Sequence, residues 1–280
     1  MAFLELFDET LDINSTETYD LSIQVSPDGL SFCLLDSIRN KFVMVRSYGP
    51  DDNRFFNSDK IREFLKNDDF LTKRYKKISC VMPSPKFTLV PKPLYDPGKK
   101  DEYFTFNHIL DDENIILTDK TTDPDAYLVY SVSKPIWELI RSSYSGVIPH
   151  HHIKVLLEHN SAVRKSITGN YIHAHIERDY FNLFVFSSNV LKFCNSFSYH
   201  HNSDILYFIM NTFKNLDIKQ EETIFLSGMT ERYDSLSTDM SRYIRTIKFS
   251  EPAGNFTFSY VFNDTELHRF INLFNALNCE

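Results

Sequence analysis

Apolar and polar residues alternate along two stretches of the chain, in the same order each time. In "LSIQVS" (21–26), Leu21, Ile23 and Val25 alternate with Ser22, Gln24 and Ser26, the period of a half-buried strand. "PDG" (27–29) supplies turn residues and "LSFCLLD" (30–36) returns as a second strand. "RNK" (39–41) turns again, and "FVMVRSY" (42–48) is a third strand. A helix is predicted next, with Ser58 as N-cap and Ile61, Phe64 and Leu65 on one face. "KISCVM" (77–82) reads as a fourth strand and "AYLVYSV" (126–132) as a fifth, ahead of a helix from Pro135 through Trp137 and Ile140.

The second half follows the same order. "YIHAHIE" (171–177), "YFNLFVF" (180–186) and "LKFCNSF" (191–197) read as three strands. A helix opening at Ser203 is expected to bury Ile205, Leu206, Ile209, Phe213 and Leu216 and to leave Tyr207 exposed. "TIFLSG" (223–228) is the fourth strand. A helix through Tyr233, Leu236, Met240, Tyr243 and Ile244 leads to the fifth, "TIKF" (246–249). A C-terminal helix carries Leu267, Phe270, Ile271, Phe274 and Leu277.

"KFVMVRSY" (41–48) and "KFCNSFSY" (192–199) share Lys, Phe, Ser and Tyr at an offset of 151 (192 − 41). The same offset pairs Asp28 with Asp179 at matching hairpin tips, and each copy then reaches "NSD", at Asn57–Asp59 and Asn202–Asp204. These matches point to an internal duplication, with halves 1–148 and 149–280. The first half carries an insertion near 83–125 that holds "KFTLVPKPLY" (86–95). Meander strands pair antiparallel through tight turns, whereas strands separated by helices pair parallel through right-handed crossovers. Each half is therefore expected to form an α/β layer: one mixed five-stranded sheet flanked by helices.

Composition narrows the function classes. Of the 280 residues, 42% are hydrophobic and 24% charged, the balance of a globular chain with an ample core. Only 7 are Gly, which argues against a glycine-rich phosphate cradle. A net charge of −8 repels phosphate backbones, so nucleic acid is not an expected partner; "KRYKK" (73–77) and "PGKK" (97–100) are short basic runs. The start, "MAFLELFDETLD", has no basic residues ahead of its apolar stretch, and no apolar run is long enough to span a bilayer. The expectation is a cytoplasmic protein with no membrane partner. Its dispersed cysteines (33, 80, 194 and 279) are then reduced thiols, the first three facing the core, and its sequons at Asn14, Asn255 and Asn263 carry no sugar.

"NVLKFCNSFSY", "SDILYFIMNTF", "ETIFLSGM", "SRYIRTIKF" and, in the insertion, "FTLVPKPLY" resemble an uncharacterised family, domain-of-unknown-function family 3822. The resemblance covers nearly the whole chain and is best over 171–249. It implies the actin-like ATPase superfamily architecture, two ribonuclease-H-like halves facing each other across a cleft, and it brings no established activity. In active members of that superfamily the first hairpin of each half carries an Asp-x-Gly phosphate loop. The carboxylate holds Mg²⁺ and the Gly lets backbone N–H groups approach phosphate. A Gly-Gly after the fourth strand of the second half receives the adenosine. Mapped onto that pattern, Gln24 and Ser26 stand for Asp and Gly in the first half, and His175 and Glu177 in the second. At the third place Ser227-Gly228 is followed by Met229 instead of a second Gly. Gln24 is no anionic metal ligand, and Glu177 puts like charge where phosphate enters. Asp28-Gly29 is a substitute loop if the register slips, and Asp179 is a substitute metal ligand, but both read more simply as hairpin turns.

His150–His152, with His159, His173, His175, His200 and His201, suggest a transition-metal site, but consecutive His on a strand alternate faces and only Glu158 and Glu177 lie near. Exposed His on a strand is the simpler expectation. A nuclease needs clustered carboxylates on the first strand, where Gln24 and His175 stand instead. No nucleophile elbow is present. The expected function is a non-catalytic protein-binding or scaffold module whose cleft or insertion engages another protein. No cofactor is expected, and homo-oligomerisation is left open. The alternative is a divergent protein that binds ATP and magnesium.

Overall fold

Short turns lay down the same antiparallel meander twice. The computed structural model describes residues 4–49 and 56–278, so Cys279 lies outside the described residues. Two compact units divide the chain: Met1–Glu158 with Gly254–Thr265 and Asn272–Glu280, and His159–Ala253 with Glu266–Ile271. The first unit thus takes in two C-terminal segments that a single cut at 148 and 149 assigns to the second.

The first unit opens with β1 (Leu4–Phe7), β2 (Tyr19–Ser26), β3 (Gly29–Asp36) and β4 (Lys41–Tyr48). Helix α1 (Ser58–Asn67) precedes β5 (Lys77–Met82). Its N-cap is Asn57, one residue ahead of the expected Ser58, and the Asn57 carboxamide oxygen accepts from the Lys60 N–H at 3.0 Å. The insertion supplies β6 (Phe87–Pro91), α2 (Lys100–Thr105) and β7 (Asn114–Thr121). Next come β8 (Ala126–Ser133), α3 (Lys134–Ser143) and β9 (His150–His151). Helix α4 (His152–Arg164) carries the chain into the second unit.

The main sheet runs β1-β4-β3-β2-β5-β9, with β5 parallel to β2 and β9 parallel to β5. The fifth strand of its mixed core is therefore His150–His151, not "AYLVYSV". That segment, β8, lies between β6 and β7 in a separate three-stranded antiparallel sheet. A tight turn after β7 gives β8 an adjacent antiparallel partner, and local hairpin closure costs less entropy than a long parallel crossover. Val90, Phe104, Ile116 and Val129 form the small core of this insertion.

The second unit contains β10 (Asn170–Ile176), β11 (Tyr180–Ser187), β12 (Val190–Ser198), α5 (Asn202–Asn215), β13 (Thr223–Gly228), α6 (Ser235–Met240) and β14 (Thr246–Phe249). Its sheet order is β12-β11-β10-β13-β14, with β13 parallel to both neighbours. Ile172, Ala174 and Ile176 of β10 face a core that includes Ile205, Ile209 and Phe213 of α5 and Leu236 and Met240 of α6. Leu206 is half-buried, Tyr207 is 65% exposed, and Leu216, past the last turn of α5, is exposed rather than buried. Tyr233 and Tyr243 are also exposed, because α6 spans only Ser235–Met240 between them. The chain ends with β15 (Thr257–Phe258), a 3₁₀ turn at Leu267–Phe270 and α7 (Ile271–Ala276).

Both meanders carry a register shift at the same place, between Leu34 and Leu35 in β3 and between Val185 and Phe186 in β11 (185 − 34 = 151). The third strands match differently. Leu34 pairs with Met44 and Val185 with Phe193, so β4 and β12 correspond at 149 (193 − 44). The "KF…SY" identities thus lie two residues out of sheet register. Residues 37–40 join β3 to β4, while only Ser188 and Asn189 join β11 to β12, both at positive φ as a two-residue hairpin of mirror-image type requires. A slip of two keeps every side chain on its face, so the pattern survives it.

The outer edge of β4 is closed from both ends of the chain. β1 pairs antiparallel with Met44–Ser47 and β15 pairs parallel with Lys41 and Phe42. The Phe42 ring meets those of Phe256, Phe258 and Phe274 at 4.8, 5.4 and 4.8 Å. Asp8, just past β1, joins the pieces: its buried carboxylate accepts from Lys41 Nζ at 2.9 Å, Ser259 Oγ at 2.6 Å and the Thr10 N–H at 2.8 Å. Cys33 and Cys80 are buried free thiols and Cys194 is a half-buried one. Among the described residues no helix is long and apolar enough to cross a membrane.

Burial pushes the Asp8 carboxyl up, but the bonds from Ser259, Thr10 and Lys41 outweigh it and hold the group well below the usual carboxylate range. A depressed acid contributes stability above its unfolded value of about 3.9 and loses it as pH falls through the folded value. Asp8→Asn is expected to cost about 2–4 kcal/mol at pH 7. The gap to the parent chain should close progressively below about pH 4, as urea midpoints across pH will show.

Candidate functional site

Strand β10 is the middle of its sheet, and its two faces are chemically distinct. Ile172, Ala174 and Ile176 point one way into the core, so Tyr171, His173, His175 and the following Glu177 share the other face. All four are buried. On that face they form one hydrogen-bonded chain. Tyr171 donates its hydroxyl to Asn160 Oδ1 of α4 at 3.2 Å, and the same oxygen lies 2.7 Å from His173 Nδ1. His173 Nε2 lies 2.7 Å from Ser227 Oγ of β13, which is 2.7 Å from His175 Nδ1. His175 Nε2 lies 3.1 Å from Glu177 Oε1. Parallel pairing of β10 with β13 sets His175 directly beside Ser227, which brings the hydroxyl between the two rings.

Donor and acceptor roles follow along the chain. With Asn160 Oδ1 as acceptor, His173 carries its proton on Nδ1, and its Nε2 accepts from the Ser227 hydroxyl. Ser227 Oγ then accepts from His175 Nδ1–H. His175 Nε2 faces a carboxylate, so a proton lies between His175 and Glu177. Burial holds His173 well below its ordinary value, and the neighbouring His159 and His175 push the same way, so that ring is neutral. His159 itself reaches Ser250 Oγ at 3.3 Å, and its ring centre is 5.7 Å from that of His173.

Gly228 follows Ser227 at φ +82°, a conformation side chains rarely adopt. A Cβ there would fall 2.1 Å from the Ile176 carbonyl oxygen, which also accepts from the Met229 N–H at 2.7 Å. The glycine is thus required by the end of β10 packing onto it, and Met229 points outward, 53% exposed. Asp179 sits exposed at the tip of the β10–β11 turn, where Glu177 N–H bonds the Tyr180 carbonyl at 2.9 Å.

In the first unit Gln24 and Ser26 occupy the positions of His175 and Glu177: Gln24 pairs with Ser31 and His175 with Asn182, both at 151. The neighbour of Gln24 on β5 is Val81, where His175 has Ser227, so no polar chain forms between those two strands. Ser26 Oγ accepts from the Asp28 N–H at 3.1 Å, and Ser26 pairs with Gly29 across the two-residue turn Pro27-Asp28. Gly29 has φ +150°, and a Cβ there would meet the Tyr48 carbonyl oxygen at 2.3 Å. Asp28 therefore sits in a hairpin turn, and Gly29, the first residue of β3, is closed against β4.

The histidine triplet is not exposed on a strand. His150 and His151 form β9, His152 opens α4, and His151 and His152 are fully buried. Asp119 of β7 approaches His150 Nδ1 at 3.3 Å and accepts the His151 backbone N–H at 2.9 Å. His151 Nε2 lies 3.0 Å from the Ser84 carbonyl, and its Nδ1 accepts the Ile153 N–H at 3.3 Å. Burial, and then His152, holds His151 well below its ordinary value. A neutral ring satisfied by backbone groups can pack inside the unit, which the sequence expectation of exposure overlooked. Among the described residues no group of three or more His, Cys, Asp or Glu is placed to hold a metal ion. Asn160, Ser250 and Asp119 also belong to these networks. The alternation in "YIHAHIE" marks the polar face of β10, but no local signal shows which helix residue will meet it.

Two sheets of this order, each a meander followed by crossover strands, define an actin-like ATPase fold. The chain belongs to a family of proteins of unknown function, DUF3822, whose family model matches residues 8–247. A Bacteroides thetaiotaomicron VPI-5482 protein with an actin-like ATPase fold and unknown function superposes at TM-score 0.78 and 20% identity, over 86% of this chain and 93% of that one. A chain of the PilM–PilN type IV pilus biogenesis complex aligns at TM-score 0.61 and 11% identity, over 94% and 98%. The ethanolamine utilization protein EutJ from Carboxydothermus hydrogenoformans aligns at TM-score 0.51 and 5% identity, over 98% and 93%. No curated protein sequence matches the chain.

Two outcomes follow from this geometry. Gly228→Ala is expected to destabilise the chain by on the order of 3 kcal/mol, from the left-handed φ and the clash with Ile176, without altering the secondary-structure content seen by circular dichroism. The buried neutral His173 and His151 remain unprotonated in the fold while the unfolded chain takes up protons below about pH 6.5. Stability is then full above that pH and falls below it, by up to about 1.4 kcal/mol per pH unit for each ring. Chemical unfolding between pH 7.5 and 5 will show the slope, and His173→Gln should reduce it.

Proposed function

We propose that this member of the family is a non-catalytic, protein-binding module built on an actin-like fold, with no nucleotide cofactor. One observation carries the reading. At the two positions where an active relative needs a metal-holding carboxylate and a glycine, the second unit has His175 and Glu177, buried and bonded to each other, with His175 also bonded to Ser227. Their side chains occupy the ground that backbone N–H groups and a phosphate would share. The carboxylate side chain stands at the glycine position, where a phosphate needs close approach to backbone N–H groups. In the first unit Gln24 offers no anionic ligand, and Gly29 is taken up by a turn against Tyr48. These residues do not fit Mg-ATP.

Protein binding is supported from another side. The insertion exposes Phe106 and Ile109 at 88% and 84%, with Leu94 also well exposed, which gives it apolar surface for such a contact. A chain of similar fold is also present in the PilM–PilN complex.

A thermal melt with and without millimolar Mg-ATP, paired with titration calorimetry, tests the reading. A ligand at a hundred times its Kd stabilises by about 2.7 kcal/mol, which for a chain of this length is worth several degrees at roughly 2–4 °C per kcal/mol. The expected result is a cooperative melt whose midpoint Mg-ATP leaves unmoved. A saturable shift with matching calorimetric heat would overturn the reading and make the chain a divergent nucleotide binder.

A further inference from the structure

The duplication allows one copy to be compared with the other at the outer edge of the third meander strand. In the first unit that edge is closed: β1 lies antiparallel on Met44–Ser47 of β4, and β15 continues on Lys41 and Phe42. Five of the eight residues of β4 are buried. In the second unit the counterpart, β12, ends the sheet, and among the described residues no strand pairs with its outer side. None of its nine residues is buried. An edge strand of this length presents a row of backbone donors and acceptors with nothing to pair them, and proteins commonly block such an edge or use it to bind an extended segment.

We propose that the outer edge of β12 is a docking site for an extended acidic segment of another protein, which adds to the second sheet as an antiparallel sixth strand. The chain's own N-terminus shows what such a segment looks like. At the sheet-register offset of 149, Met44–Ser47 correspond to Phe193–Ser196. β1 reads Leu-Glu-Leu-Phe and is followed by Asp8, whose N–H donates to the Val43 carbonyl at 2.8 Å. Val43 corresponds to Lys192, an exposed lysine. A segment lying on β12 as β1 lies on β4 therefore brings the residue after its strand beside Lys192, and an acidic residue there is the complementary choice. Residues 187–199 contain no Asp or Glu, in a chain with 38 of them, so nothing on the strand itself opposes an incoming carboxylate. A second copy of β12 is the weaker fit, because it brings another lysine and no acid. The inference rests on the reading of the chain as a protein-binding module and gives that reading a surface and a partner chemistry.

The probe is a fluorescein-labelled peptide of the chain's own residues 4–10, LELFDET, added to the full chain and followed by anisotropy and by amide hydrogen exchange. The expected result is saturable binding that slows exchange at residues 193–196. Lys192→Glu, a surface change that should leave the melt as it is, weakens the binding by about tenfold or more, as does a peptide with Lys in place of its Asp. Four results overturn the proposal. They are no binding up to about 1 mM peptide, protection at residues 44–47 instead, affinity indifferent to Lys192→Glu, or β12 amides already protected in a peptide-free dimer. Because the Mg-ATP melt is read separately, failure at this edge and failure of the non-catalytic reading give different patterns.

Discussion

A strand in the middle of a sheet that is covered on both faces has no water to turn to. Every polar group on it must find a partner within the fold, at a cost of roughly 1–3 kcal/mol for each that does not. β10 is such a strand, and it carries Tyr171, His173, His175 and Glu177 on one face. The arrangement around it answers that requirement. Asn160 comes from the preceding helix, Ser227 from the parallel neighbour, and the glycine after Ser227 lets the end of β10 pack against it. Because His173 lies in a dry interior, it stays neutral. Because Glu177 is engaged by His175, the carboxylate is a structural element of the hairpin.

The two copies have diverged around this shared frame in a physically consistent way. The first copy keeps smaller groups at the same positions, Gln24 and Ser26, beside an apolar Val81. It spends its additional chain elsewhere, on a three-stranded insertion and on two segments that close the edge of β4. Asp8 links those segments, since it bonds at once to the strand it covers and to the C-terminal stretch. The second copy has no insertion between its fourth and fifth strands, and among the described residues no strand covers the outer side of β12. Family membership and structural likeness at 20% identity or below place the fold, whereas the chemistry of each copy belongs to this chain's own residues.

Where the sequence expectation failed, long-range pairing was the cause. "AYLVYSV" has the alternation and β-branched content of a core strand, and it is one, but of the insertion's sheet. "HH" at 150–151 has no strand signature, yet it fills the fifth position beside β5. The "KF…SY" identities pointed to a real duplication while sitting two residues out of register, because a turn shortened by two residues preserves the faces of a strand and hides the slip. The histidine triplet looked solvated because histidine alone does not reveal whether a backbone carbonyl waits for it inside.

By itself the sequence determined two meander-helix-strand copies, the hairpin turns at Pro27-Asp28 and Asp179, and the lack of Asp-x-Gly at the first hairpin of either half. Those features depend on residues two to four apart, where strand alternation, helix periodicity and turn chemistry act directly. Only the tertiary structure decided that β8 leaves the main sheet, that Ser227 stands between two buried imidazoles, that Gly228 is dictated by Ile176, and that among the described residues strands cover one third-strand edge and not the other. Each of these depends on which segments distant in sequence compete for the same edge or face. Hydrophobic burial and loop-closure entropy settle that competition for the whole fold at once, and no local pattern records the result.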